Sequence, residues 1–114
     1  MGYDMHWDKD GSDKGYFRAN IWGMGKLREY MEKAGCMDWD AQPPKNSKTK
    51  VPGYKFCSND GWKVTPQESA IIDTALRSYV DEHKEEVEND YDFVIRWCDY
   101  CRLCATENVN FRVF

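Results

Sequence analysis

Cys98, Cys101 and Cys104 recur every third residue in a stretch of helical periodicity, and thiolates are zinc and iron ligands, so their spacing raises metal binding first. Cys57 or His83 could complete a set of four ligands. The pattern suits neither common site: structural zinc takes paired knuckles on turns, and iron–sulfur clusters need a fourth cysteine at a set place. All three also fall on an apolar stripe with Val94, Trp97 and Ala105, where a free cysteine behaves as a small hydrophobe. They are read as core, and no metal or cofactor is expected. Asp8, Asp10 and Asp13 around Gly11 supply the carboxylates a calcium loop uses, but the register fails. Counted from Asp8, Gly11 is fourth where the sixth residue must be glycine, and Ala19 stands where the bidentate glutamate belongs. A solvated hairpin turn is the expectation.

Acid–base and nucleophilic chemistry have little material. His6 and His83 are the only histidines, no serine or cysteine sits in an elbow motif, and His83 falls on the apolar stripe of its segment as a core-edge residue. A hydrolase or transferase built on His6 and Asp4 therefore stands third among the functional readings. Binding has more support. Asp4, His6 and Asp8 share one strand face, and strand pairing would bring them near Arg18, Asn20, Asn110 and Arg112 as a polar patch able to hold an anion.

Gly23-Met24-Gly25-Lys26-Leu27-Arg28 reads as a strand-to-helix junction, where unpaired N–H groups and the helix dipole favour a negative group. It lacks the third glycine of a dinucleotide fingerprint and the Gly-Lys-Ser/Thr of a phosphate loop. Asn59-Asp60-Gly61-Trp62 is a turn that could present Trp62 as a stacking wall beside Asn59 and Asp60. The candidate ligand-binding set is thus Arg18, Asn20, Trp22, Lys26, Asn59, Asp60, Trp62 and Arg112, for a small anion such as a nucleotide. The alternative is a protein–protein inhibitor or adaptor. It would use an exposed aromatic patch or the run Asp81–Asp92, which holds seven acids against one lysine.

The elements that must position these residues follow from periodicity. Tyr3, Met5 and Trp7 alternate with polar residues as a first strand, and Tyr16–Trp22 resumes alternation as a second, with Phe17, Ala19 and Ile21 on one face. Met24, Leu27, Met31 and Ala34 recur at helical spacing up to Gly35. The segment 38–52 reads as a flexible loop, followed by a brief strand near Tyr54–Phe56. Thr65-Pro66-Gln67-Glu68 is a capping box opening a helix with Ile72, Leu76, Tyr79 and Val80 on one face. Asp90–Ala105 reads as a third helix and Val109–Phe114 as a closing strand able to pair with an N-terminal one. The expected fold is α+β: an antiparallel sheet of three to four strands with two or three helices packed on one face, in one domain over 1–114.

Composition bounds the rest. The chain has 114 residues, 41% hydrophobic and 15% aromatic, too apolar for disorder, and its five Trp, seven Tyr and five Phe exceed what a small core requires. A net charge of −4 argues against a nucleic-acid binder. Charge runs −2 over residues 1–40, +3 over 41–77 and −5 over 78–114. No membrane-length apolar run or signal segment is present, and an odd five cysteines without a glycosylation sequon fit a reducing compartment, so a cytoplasmic protein is expected. Oligomeric state is carried by no motif.

The blocks Met1-Gly2-Tyr3-Asp4, Tyr16-Phe17-Arg18-Ala19-Asn20-Ile21-Trp22-Gly23-Met24-Gly25, Cys57-Ser58-Asn59-Asp60-Gly61-Trp62 with Val64-Thr65-Pro66, and Phe111-Arg112-Val113 resemble a group of small uncharacterised proteins of bacteria and their phages. The resemblance implies a prokaryotic or viral origin, and for a phage protein the host cytoplasm. It assigns no catalytic residue.

Overall fold

The computed structural model describes residues 2–40, 50–58 and 60–114. Strand β1 (Gly2–Trp7) and strand β2 (Tyr16–Asn20) form the expected antiparallel hairpin, with Asp4 opposite Arg18 and Met5 opposite Phe17. Alternation sends Met5, Trp7 and Ala19 into the core and leaves His6 and Arg18 exposed on the other face. The connection is a turn, as expected. Its Asp10 carboxylate accepts from Trp7 Nε1 at 3.0 Å and from the Ser12 N–H at 2.9 Å before a 3-10 turn over Asp13–Gly15.

The other elements enter in chain order. Helix α1 (Ile21–Lys33) buries Met24, Leu27, Tyr30 and Met31. Strands β3 (Met37–Asp38) and β4 (Val51–Pro52) form a two-stranded parallel ribbon. Strand β5 (Trp62–Val64) precedes helix α2 (Pro66–Glu82). A single turn, α3 (Lys84–Val87), leads to helix α4 (Tyr91–Thr106), and strand β6 (Phe111–Val113) closes the chain. β6 pairs antiparallel with β1, as its position predicted, and β5 pairs with β6, giving a four-stranded antiparallel sheet in the order β2-β1-β6-β5. This is the α+β fold expected.

The helices cover one face of that sheet. Trp97 of α4 is the centre of an aromatic core, with the rings of Phe17 at 5.2 Å, Phe111 at 5.7 Å and Phe56 at 5.9 Å in tilted or edge-on contact. Cys98, Cys101 and Cys104 are buried on the same helix. The aromatic excess in composition is therefore largely spent on packing.

Three expectations are corrected. Tyr54–Phe56 is part of a 3-10 turn over Gly53–Phe56, because Lys55 and Phe56 are both buried and a half-buried strand would expose one of two neighbours. The loop expected over 38–52 carries β3 and β4 at its two ends, while residues 41–49 lie outside the described residues. His83 is exposed, not at the core edge: α2 ends at Glu82, and the non-helical backbone of His83 turns its ring off the stripe to stack on Tyr79 at 4.1 Å.

Candidate functional site

The corner where β2 runs into α1 differs from its sequence reading, and the difference creates the site. Alternation carried the strand to Trp22 and let Gly23–Gly25 break it, but the helix starts two residues earlier. Asn20 is its N-cap, the side-chain oxygen accepting the Gly23 N–H at 2.6 Å. Ile21 therefore leaves the Phe17–Ala19 face and becomes 49% exposed, and Trp22 stands 85% exposed on the first turn. Gly23 serves close packing within the helix: a Cβ there would lie 2.9 Å from Cζ of Phe93 on α4.

Two adjoining surfaces result. A shallow depression of about 280 Å³ is lined by Arg18, Ala19, Asn20, Gly23 and Phe93. Next to it, Ile21, Trp22, Gly25 and the flanks of Lys26 and Glu29 form an open apolar patch of about 480 Å³. Phe93 and Ile21 were not singled out from sequence. Reading Asn20 as a cap would have exposed Ile21, whereas nothing local announces Phe93.

The expected site residues divide among three places. Arg18, Asn20, Trp22 and Lys26 gather at this corner. Arg112 lies on β6, opposite His6 and separated from β2 by β1. Asp60 and Trp62 are at the far edge, where Trp62 packs edge-on against Tyr54 at 4.9 Å, donates to Ser58 Oγ at 3.2 Å, and Ser58 donates to Asp60 at 2.9 Å. Trp62 is therefore braced within its own loop, and Asn59 lies outside the described residues.

Electrostatics further constrain the corner. Arg18 pairs with Asp4 at 2.8 Å, and the Tyr16 hydroxyl donates to the same carboxylate at 2.6 Å. Those bonds, Tyr16's first, hold Asp4 below the ordinary carboxyl range. Arg112 donates to Asp8 at 3.3 Å and to the Gly61 carbonyl at 3.4 Å, and Lys26 lies 3.7 Å from Glu29. Each cation expected to meet an anionic ligand already faces a carboxylate of its own.

Other chemistry in the sequence is turned inward or neutralised. Burial pushes the Cys98 thiol up to about 12 and Cys104 to about 11, and raises Cys101 as well, so none is a thiolate at neutral pH. Within the acidic run, Glu86 accepts from Lys33 at 2.6 Å and from the Tyr79 hydroxyl at 2.7 Å. Among the described residues no cluster of three His, Cys, Asp or Glu side chains is arranged to hold a metal ion, and no helix is long and apolar enough to cross a membrane. No family model, curated protein or solved structure matches the chain.

Proposed function

We propose that this is a non-enzymatic binding protein that acts on another protein, with the β2–α1 corner as its docking surface and Trp22 as the anchor. The observation that carries the reading is the 85% exposure of Trp22, next to a half-exposed Ile21. Tryptophan is the residue most enriched among interface hot spots, where truncation costs at least about 2 kcal/mol of binding. The neighbouring ion pairs, Arg18 with Asp4 and Lys26 with Glu29, make the polar rim such an anchor needs. They also favour a protein over a nucleotide at this corner, because the charge of each cation is already partly neutralised by a neighbouring carboxylate. If the chain is phage-encoded, as its sequence blocks suggest, the partner is a cytoplasmic protein of the host.

A photo-crosslinking amino acid at position 22, compared with one at Lys63 on the far edge, tests this in cells of the source organism. One protein joined from position 22 and not from 63 is the expected result. Equal background from both positions overturns it. A rise in melting temperature with a panel of mono-, di- and cyclic nucleotides at millimolar concentration, abolished by Arg18→Glu or Lys26→Glu, would favour the small-anion reading instead.

A further inference from the structure

The outer strand β2 has a second unmet requirement, and it concerns main chain. Asp4 exchanges both its N–H and its C=O with Phe114, at 2.9 and 2.8 Å, and the Asp8 N–H donates to Asn110 at 2.9 Å. The main-chain groups of Asp4, His6 and Asp8 thus face β6, and those of Tyr3 and Met5 face β2. The register sets Tyr3 against Ala19 and Met5 against Phe17, so Ala19 and Phe17 take the bonds to β1. The main chain of Tyr16, Arg18 and Asn20 points the other way, off the edge of the sheet.

Two of those outward groups are already used. The Tyr16 N–H donates to Asp13 in the 3-10 turn, and the Asn20 carbonyl begins the hydrogen-bond ladder of α1. Four have no main-chain partner among the described residues: the Tyr16 C=O, the Arg18 N–H, the Arg18 C=O and the Asn20 N–H. This set is its own complement. Turn a second β2 antiparallel about an axis through Arg18, and Arg18 meets Arg18 with both bonds exchanged, while each Tyr16 C=O meets the Asn20 N–H of the second copy. The two groups already used, the Tyr16 N–H and the Asn20 C=O, would face each other in this register, so neither copy is left with an unmatched donor or acceptor. An unrelated strand could bond the same four groups, but one carbonyl and one N–H of its own would face groups already taken.

The side chains allow the approach. Tyr16, Arg18 and Asn20 are exposed, and the two Arg18 side chains brought together at the axis are each neutralised by their own Asp4. The opposite edge offers much less. β5 spans three residues, and only its middle one, exposed Lys63, turns main chain outward, with a lysine of the kind that discourages edge pairing.

We infer that two copies of this chain join through β2, antiparallel about a two-fold axis at Arg18, to make one continuous eight-stranded sheet. The pairing does not rest on the Trp22 reading: position 22 lies outside the paired segment Tyr16–Asn20, although the two surfaces share Arg18 and Asn20.

Sedimentation equilibrium over a concentration series should give twice the 13.4 kDa chain mass for the wild type. Arg18→Pro, which removes the central donor, should give the single-chain mass with an unchanged far-ultraviolet spectrum. Should that variant misfold, cross-linking decides. Facing residues at the axis would lie about 5.5 Å apart at Cα, inside the disulfide range of about 4.4–6.8 Å. In a Cys57→Ser background, Arg18→Cys should form a disulfide dimer on mild oxidation while Lys63→Cys stays monomeric. A wild-type chain that remains single at several hundred micromolar overturns the inference. So does a dimer in which Arg18→Cys fails to cross-link, since the copies would then meet through another face.

Discussion

Two strands in this molecule run straight into a helix N-cap, and the two junctions serve opposite ends. At β5–α2, Thr65 caps the helix and the capping glutamate, Glu68, faces inward. Glu68 returns a bond to the Thr65 N–H at 2.9 Å and receives Lys55 at 2.8 and 3.0 Å, with Lys55 only 4% and Glu68 only 2% exposed. At β2–α1, Asn20 caps in the same way, yet the next two side chains are Ile21 and Trp22, held out in solvent. A buried ion pair costs desolvation that only full pairing recovers, and an exposed tryptophan forgoes the hydrophobic gain of burial. The first junction is a structural clamp. The second leaves apolar surface exposed, and the proposed docking surface rests on that.

The largest effect should come from breaking the clamp. Glu68→Ala takes the carboxylate away from the buried Lys55 ammonium group and removes the capping box, and should cost about 3–5 kcal/mol in urea unfolding. A Lys55→Met/Glu68→Gln double variant should lose clearly less than the sum of its singles, because no unpaired charge is left behind. An additive result would mean that the pair is not coupled in solution.

The caps come next. Thr65→Ala and Asn20→Ala should each cost about 1 kcal/mol, within a range of roughly 0.5–2, since each leaves an N–H of the first turn unbonded. Comparable losses at both sites would show that the junctions share one local design and differ in what surrounds it. A negligible loss at Asn20 would put the start of α1 elsewhere. Ser69, one residue beyond the clamp, is buried with no hydrogen-bond partner for its hydroxyl among the described residues. Ser69→Ala should therefore be neutral or stabilise by up to about 1 kcal/mol, as read by the unfolding midpoint.

How much of this was legible follows the same division. The β5–α2 helix start could be read directly, because a capping box is a local signal within four residues. The clamp beneath it could not, since Lys55 sits in a turn that resembles a short strand in sequence. β5 carries no local signal: three residues between Gly61 and the cap are too few to show alternation, and pairing with β6 makes them a strand. At the other junction stand Arg18, Asn20, Trp22 and Lys26, four of the eight expected site residues, and there alternation sets the helix start at the glycines, two residues late. Ile21 and Trp22 favour strands on propensity, and the Asn20 cap prevails. Trp62 and Trp22 are alike by residue type, and only packing separates them: one leans on Tyr54 and Ser58, the other touches solvent.

The smallest stability effect is expected at Trp22, the proposed anchor, and measuring stability and binding on one variant tests the central claim most directly. Trp22→Ala should shift the urea unfolding free energy by no more than about 0.5 kcal/mol, as for an exposed side chain without structural contacts. In parallel, the partner identified by cross-linking from position 22 should bind the variant at least about 30-fold more weakly, the equivalent of a 2 kcal/mol hot spot. Unchanged affinity, or a stability loss above about 2 kcal/mol, would contradict the account: Trp22 would then be a bystander or a structural residue, and the corner no docking surface.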